Sequence, residues 1–199
     1  MQRRNFITYL AAVSAAIASV PRKLMAASKE ECFTDADVQG PFHRMGAPER
    51  SNLAEDYSGK GRLLEVRGTV YSGDCSTPIA NAKIDLWHAG PDGQYDERSD
   101  KFIFRGIVKT NEQGQYFFKT LIPAGYRDGG LDRPAHLHYI VTADKHHRLV
   151  TQLYFKGDSK LNNDIFIQQN NGMKRALQYP VNSQGVHEME FDIVLRPRV

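Results

Sequence analysis

The sequence predicts an all-β protein, a single-domain β-sandwich of about seven to nine strands with an N-terminal arm and long loops. Three observations predict it. From Leu63 onward, short runs rich in β-branched and aromatic residues recur, each closed by a turn signal. The 16 glycines and 9 prolines are spread along the chain rather than clustered, as in loop-rich domains. No long amphipathic pattern, internal repeat or low-complexity tract is present. A length of 199 residues fits one domain with appendages.

Residues 1–27 stand apart from that domain. Arg3 and Arg4 precede an apolar, Ala-rich stretch from Phe6 to Val20, and small residues Ala26 and Ala27 follow, the order of a targeting segment. The pair in Gln-Arg-Arg-Asn-Phe-Ile matches a twin-arginine export signal, and the apolar run is shorter than the ~20 residues that span a bilayer. An exported, periplasmic protein with no stable membrane insertion after export is expected; an ordinary secretory signal or an uncleaved anchor is the other reading. The whole chain carries a net charge of +3. This segment holds Arg3, Arg4, Arg22 and Lys23 and no acid, so the 26 basic residues fall to 22 against 23 acidic ones without it, a net of −1. Such a balance excludes nucleic acid and anionic membrane as predicted partners.

Residues 28–61 form the arm. They are rich in charge and turn residues, and Gly40-Pro41-Phe42 reads as an extended lead-in. Cys32 and Cys75 are the two cysteines. In an oxidising compartment such a pair closes, so a Cys32–Cys75 disulfide is predicted to pin the arm to the sandwich. In the chain-entropy model it stabilises by roughly 3–4 kcal/mol. Two unrelated buried thiols are the alternative.

The sandwich itself is expected over 62–199. Strands are predicted at Leu63–Tyr71, Lys83–His88, Ile103–Lys109, Gln115–Thr120, His136–Ala143, Leu149–Phe155 and Glu188–Leu195. In the second, Ala82, Ile84, Leu86 and His88 share one face, with Lys83, Asp85 and Trp87 on the other. Asp144-Lys145-His146-His147 has the form of a hairpin connection, and Asn111-Glu112-Gln113-Gly114 does the same. Residues 162–177 hold few apolar positions and read as a loop with one helical turn.

The chemistry concentrates in Arg133-Pro134-Ala135-His136-Leu137-His138-Tyr139. His136 and His138 lie two apart on a predicted strand, so both imidazoles point to one face and make half of a metal site. Alone, such a pair is equally at home on a solvated strand, in a zinc site or in a cupin, although Asp144 and His187 fit the cupin pattern poorly. The segments Asp85-Leu86-Trp87-His88-Ala89-Gly90-Pro91-Asp92-Gly93-Gln94-Tyr95 and Pro123-Ala124-Gly125-Tyr126 each leave a turn and present a tyrosine. Phenolate is a hard, anionic donor, and two phenolates with two neutral imidazoles suit Fe(III). His88, His146, His147 and His187 read as solvated or structural, and His43 as a residue at the pocket edge.

Taken in order, these motifs resemble the intradiol ring-cleavage dioxygenases, the family of protocatechuate 3,4-dioxygenase and catechol 1,2-dioxygenase. The resemblance runs through Gly68-Thr69-Val70, Pro78-Ile79-Ala80-Asn81-Ala82, Trp87 eight residues before Tyr95, Arg105-Gly106, Thr110 and Gly114-Gln115-Tyr116. It continues with Pro123 before Tyr126, Arg-Pro-x-His-x-His from Arg133 to His138, and Thr-Gln-Leu-Tyr-Phe from Thr151 to Phe155, covering about Thr34 to Asp164. It implies that Tyr95, Tyr126, His136 and His138 hold Fe(III), with Arg133 and Gln152 beside the bound substrate and Tyr126 accepting a substrate proton. The implied reaction cleaves a catechol-type aromatic with O2 to a cis,cis-muconate-type diacid. The cysteine positions also resemble those of secreted members. A homo-oligomer is left open.

Some positions depart from the family pattern. Gly90 stands where an acid or amide is common, Pro-Ala-Gly-Tyr replaces Pro-Gly-Pro-Tyr, and the Tyr126–Arg133 segment is short. Asp128 occupies a position where an aromatic often lines the pocket, and the helical dimerisation region of catechol 1,2-dioxygenases is expected to be absent. These departures bear on the substrate more than on the metal ligands. Two other classes share parts of the pattern. Transthyretin-like and carboxypeptidase-regulatory-like sandwiches, which bind without catalysis, share the Gly-x-Val…Pro-x-x-Ala opening but have no reason to keep two tyrosines with a histidine pair. A zinc hydrolase built on His136 and His138 lacks a third ligand at a sensible spacing.

Overall fold

The computed structural model describes residues 32–198. The signal segment expected over 1–27 and the first residues of the arm lie outside the described residues. Within them the strands are β1 (Leu63–Tyr71), β2 (Lys83–Trp87), β3 (Arg105–Lys109), β4 (Gln115–Leu121), β5 (Tyr126–Asp128), β6 (Leu131–Arg133), β7 (His136–Thr142), β8 (Leu149–Phe155), β9 (Ala176–Leu177), β10 (His187–Glu190) and β11 (Ile193–Val194), with one α-helix, α1 (Ile165–Gln169).

Two sheets face each other. In one, β1 pairs antiparallel with β4 and, along its other edge, parallel with β10 and then β11. The other runs in the order β3-β2-β7-β8-β9, and β5 and β6 form a separate hairpin. The inward residues are the alternate apolar ones: Leu64 and Val66 of β1, Ile84 and Leu86 of β2, Phe118 of β4, Leu137, Tyr139 and Val141 of β7, and Leu153 and Phe155 of β8 are all buried in one cluster. Burying such side chains gains roughly 1.5–3 kcal/mol each, which fixes the register and therefore which residues face outward.

The long strands lie where the sequence predicts them, with three differences. The last predicted strand is two, because Phe191 N–H bonds Arg67 O at 2.9 Å and the chain shifts along the edge of β1 between β10 and β11. The Asn111–Gly114 turn is not a hairpin: β3 belongs to the five-stranded sheet and β4 to the other, so the turn is the corner between layers. Residues 162–177 are more structured than predicted, holding α1, two short 3-10 turns and β9. Asp164 caps α1 by accepting from Phe166 N and Ile167 N, and Ile167 packs with Leu161 and Tyr154 in a second small cluster.

The arm laces both sheets. Asp37 N–H bonds Val150 O, Arg50 N–H bonds Ile107 O, and Leu53 N–H bonds Lys119 O, each within 3.0 Å. Leu53 is buried in the core. The predicted disulfide is present between Cys32 and Cys75, with Cα atoms 6.1 Å apart. Among the described residues no helix is long and apolar enough to cross a membrane.

Candidate active site

Because the inner face of the five-stranded sheet is committed to the core, its outer face is free to carry polar chemistry. The pairing registers set Arg105 of β3 opposite Trp87 of β2, Trp87 opposite His138 of β7, and His138 opposite Gln152 of β8. These four side chains form one row across four strands. Trp87 stacks on His138 with centroids 4.6 Å apart and planes 5° from parallel. His136, two residues before His138, shares that face.

Loops bring the tyrosines over this row. After β2 the chain turns back at Gly93, whose φ of +78° disfavours any side-chain-bearing residue. Gly90 and Gln94 are held together by a 2.7 Å backbone hydrogen bond, and Tyr95 emerges over the histidines. Tyr126 opens β5 directly opposite Arg133. Gly125 permits this approach, since a Cβ there would lie 2.5 Å from the Arg133 carbonyl oxygen. That contact accounts for glycine in Pro-Ala-Gly-Tyr.

The result is a convergence. Tyr95 Oη lies 3.1 Å from His138 Nε2 and 3.5 Å from His136 Nε2, and the two Nε2 atoms are 3.0 Å apart. The Tyr126 ring stands edge-on to Tyr95, with centroids 5.3 Å apart, and 5.6 Å from the His136 ring. The Pro134 carbonyl accepts a 2.7 Å hydrogen bond from His136 Nδ1. A carbonyl cannot donate, so His136 carries its proton on Nδ1 and turns the Nε2 lone pair inward. Burial, reinforced by Arg133, depresses the His136 pKa to about 3. Burial, then His136, holds His138 well below the usual range. Both imidazoles are therefore neutral, the form that binds metals. Burial pushes both tyrosines up, so phenolates there require a compensating cation. Two neutral imidazoles and two such phenols fit a hard, highly charged metal ion. Among the described residues no group of three His, Cys, Asp or Glu side chains offers a rival site.

Arg133 and Gln152 stand beside this centre. Arg133 Nε donates to Asp164 Oδ2 at 2.6 Å, Nη2 donates to Gln152 Oε1 at 2.9 Å, and Cζ lies 4.7 Å over the Phe166 ring. Burial disfavours its charge, but Asp164 outweighs that, and the net shift is upward. Gln152 is fully buried, and its Nε2 donates to Val38 O at 2.6 Å. The Tyr154 hydroxyl lies 2.9 Å from Gln152 Oε1 and gives its proton to Asp37 Oδ2, 2.8 Å away, the stronger acceptor. Arg175 completes the buried network through Asp37 and the Gln152 carbonyl. A groove of about 430 Å³ opens beside the tyrosines between Phe42, Tyr95, Tyr126 and Asp128.

Other sequence readings are refined. His88 is not solvated: it is buried, bonded to Ala89 O and Thr120 Oγ1, and burial lowers its pKa to about 4. His43 leaves the groove edge to its neighbour Phe42, which stacks on Tyr95 at 4.3 Å. His43 lies instead against Trp87 and bonds Asp85 Oδ2 at 3.1 Å. Asp164 is the chief residue that sequence reasoning missed. Its signal was an acidic residue just before the apolar Ile165-Phe166-Ile167, the form of a helix cap.

The family model described as Dioxygenase matches residues 38–197. The chain is 32% identical over 189 residues to 6-chlorohydroxyquinol 1,2-dioxygenase of Cupriavidus pinatubonensis, covering 85% of this chain and 67% of that one. It is 33% identical over 167 residues to catechol 1,2-dioxygenase of Acinetobacter baylyi, covering 72% and 53%. The chain thus spans between about half and two thirds of the length of these relatives. Among solved structures, 3-chlorocatechol 1,2-dioxygenase from Rhodococcus opacus superposes with a TM-score of 0.74 at 26% identity, covering 82% of this chain and 72% of that one. The match across nearly all of the described residues establishes that the chain belongs to the intradiol ring-cleavage dioxygenase family.

Proposed function

We propose that the protein is an Fe(III)-dependent dioxygenase that opens a catechol-type ring between its two hydroxyl-bearing carbons with O2, giving a cis,cis-muconate-type diacid. The observation that carries this reading is the meeting of Tyr95 Oη with His136 Nε2 and His138 Nε2 inside 3.5 Å, with the Tyr126 ring beside them. Tyr95, Tyr126, His136 and His138 would hold the iron, which when bound supplies Lewis acidity toward both catechol oxygens.

The remaining work falls to the chain. His136 and His138 stay neutral and present lone pairs. Tyr126 is less buried than Tyr95 and lies at the groove, so it is the phenolate placed to take a proton from an entering diol. Arg133 is locked by Asp164, Gln152 and Phe166, and its charge stabilises the anionic ring without reorganisation. Phe42, stacked on Tyr95, limits water on that side.

The test is the purified holoenzyme. Tyrosinate–Fe(III) charge transfer makes it coloured, metal analysis finds iron, and oxygen uptake with a catechol yields the ring-opened diacid. A colourless protein that neither binds iron nor consumes oxygen with any simple, carboxylated or hydroxylated catechol would overturn the reading. We also propose export of the chain through its Arg3-Arg4 signal, a reading supported by the Cys32–Cys75 disulfide. Lysine at both positions should leave the protein in the cytoplasm, and unchanged fractionation would refute that route.

A further inference from the structure

Arg105 is a buried cation with two unmatched nitrogens among the described residues. It is 1% exposed. Its Nε donates to the Asp96 carbonyl at 2.8 Å, yet Nη1 and Nη2 find no hydrogen-bond partner among the described residues. The Asp96 carboxylate is committed elsewhere: it accepts from Ser99 N and Oγ and from Ile103 N, all within 2.9 Å, and pairs with Arg44 at 3.5 Å. Burial, then the like charge of Arg44, lowers the Arg105 pKa to about 10 against the opposing pull of Asp96, Tyr95 and Asp85. It remains a cation at neutral pH. A buried guanidinium with two idle nitrogens is costly unless an anion lies near.

The Asp96 and Asp85 carboxylates act on it from a distance, and the third group able to carry negative charge beside it is Tyr95. Arg105 Cζ lies 6.0 Å from the Tyr95 ring centroid, and the carbonyl that Arg105 grips belongs to the residue immediately after Tyr95. Arg105 also ends the row that runs through Trp87 and His138, so it is fixed by the same sheet that fixes the imidazoles.

We propose that Arg105 is a positioning residue for Tyr95, holding its loop at the Asp96 carbonyl and setting a buried positive charge against the ring of this metal ligand. This rests on the iron-dependent reading above. A ligand that binds iron as an anion is then stabilised by the neighbouring guanidinium.

The test compares iron-loaded wild type with Arg105→Met, Arg105→Gln and Arg105→Lys by visible absorption and by iron retention against a chelator. The phenolate donor level rises when a neighbouring cation is removed. The charge-transfer band of Arg105→Met and Arg105→Gln is therefore expected at longer wavelength, with iron affinity about 10–100-fold lower, as for other groups that support metal ligands from behind. Glutamine retains a donor for the Asp96 carbonyl, so its band reports charge rather than a lost hydrogen bond. Lysine keeps the charge and is expected to restore both band and affinity. An unmoved band and unchanged retention in the neutral variants would overturn the proposal. So would a lysine variant shifted as far as the neutral ones, which also decides the matter if the neutral variants fail to fold. A wild-type protein without iron or colour would instead sink the functional reading, so the two failures are distinct.

Discussion

Arg133 and His88 show how burial acts on opposite kinds of group. Arg133 keeps its charge at 5% exposure because Asp164 meets it at 2.6 Å. Removing it deletes a fixed cation beside the substrate, so Arg133→Ala should cut turnover by about 10²–10³-fold while iron content stays at the wild-type level; steady-state rates and metal analysis check this. His88 is held neutral. Its native pKa is about 4 against 6.5 unfolded, so below pH 6.5 the unfolded chain takes up a proton that the native state refuses. Stability should therefore fall as pH drops from 6.5 toward 4, without any contribution above that window. His88→Gln should make this part of the profile less steep in urea unfolding at stepped pH, the rest of the slope belonging to His136 and His138, which burial also holds neutral.

The paired histidines, both tyrosines, Arg133 and Gln152 were legible because each sits in a short motif whose spacing survives without structure. Gln152 could not be judged from its strand alone, since period-two alternation does not say which face is covered, and here the arm covers the outer one. Phe42 and Asp37 carried no local signal, because their role comes from contacts with residues far along the chain.

Among the elements, α1 is short but consequential. One carboxylate of Asp164 caps its first turn with Oδ1 and holds Arg133 with Oδ2. Asparagine caps about as well as aspartate, so Asp164→Asn isolates the ionic role. Leaving Arg133 buried without its partner should destabilise by about 3–5 kcal/mol, read from denaturant midpoints, and Asp164→Ala should add the cap loss of about 1 kcal/mol. Equal stability of wild type and Asp164→Asn would remove the ion pair from this account. Long strands were legible, β1 and β8 to the residue, because β1 alternates over nine positions and β8 is a seven-residue run rich in β-branched and aromatic residues bounded by polar turns. The β5–β6 hairpin and β9 were not, since two or three residues show no period. Nor could the Asn111–Gly114 turn be assigned to a corner between sheets, because a turn sequence encodes its bend and not the partner of the strand that follows.

At the scale of the molecule, the arm is held by backbone bonds to both sheets and by the Cys32–Cys75 bridge, which spans 43 residues of chain. Cys32→Ser with Cys75→Ser should lower stability by roughly 3–4 kcal/mol, measured by unfolding under non-reducing conditions. Reducing agent should not weaken the double variant further. The charge argument from the sequence also acts at this scale, because it concerns the surface as a whole rather than any one element.

The strand β7 alternates hydrocarbon and imidazole: Leu137, Tyr139 and Val141 enter the core while His136 and His138 face out. Sliding that strand by a single position would bring both ring nitrogens into the oily interior and strand three apolar groups outside. The same energetic preference that seats the strand thus orients the ligands, and a chain that pairs β7 wrongly loses its cohesion and its chemistry together.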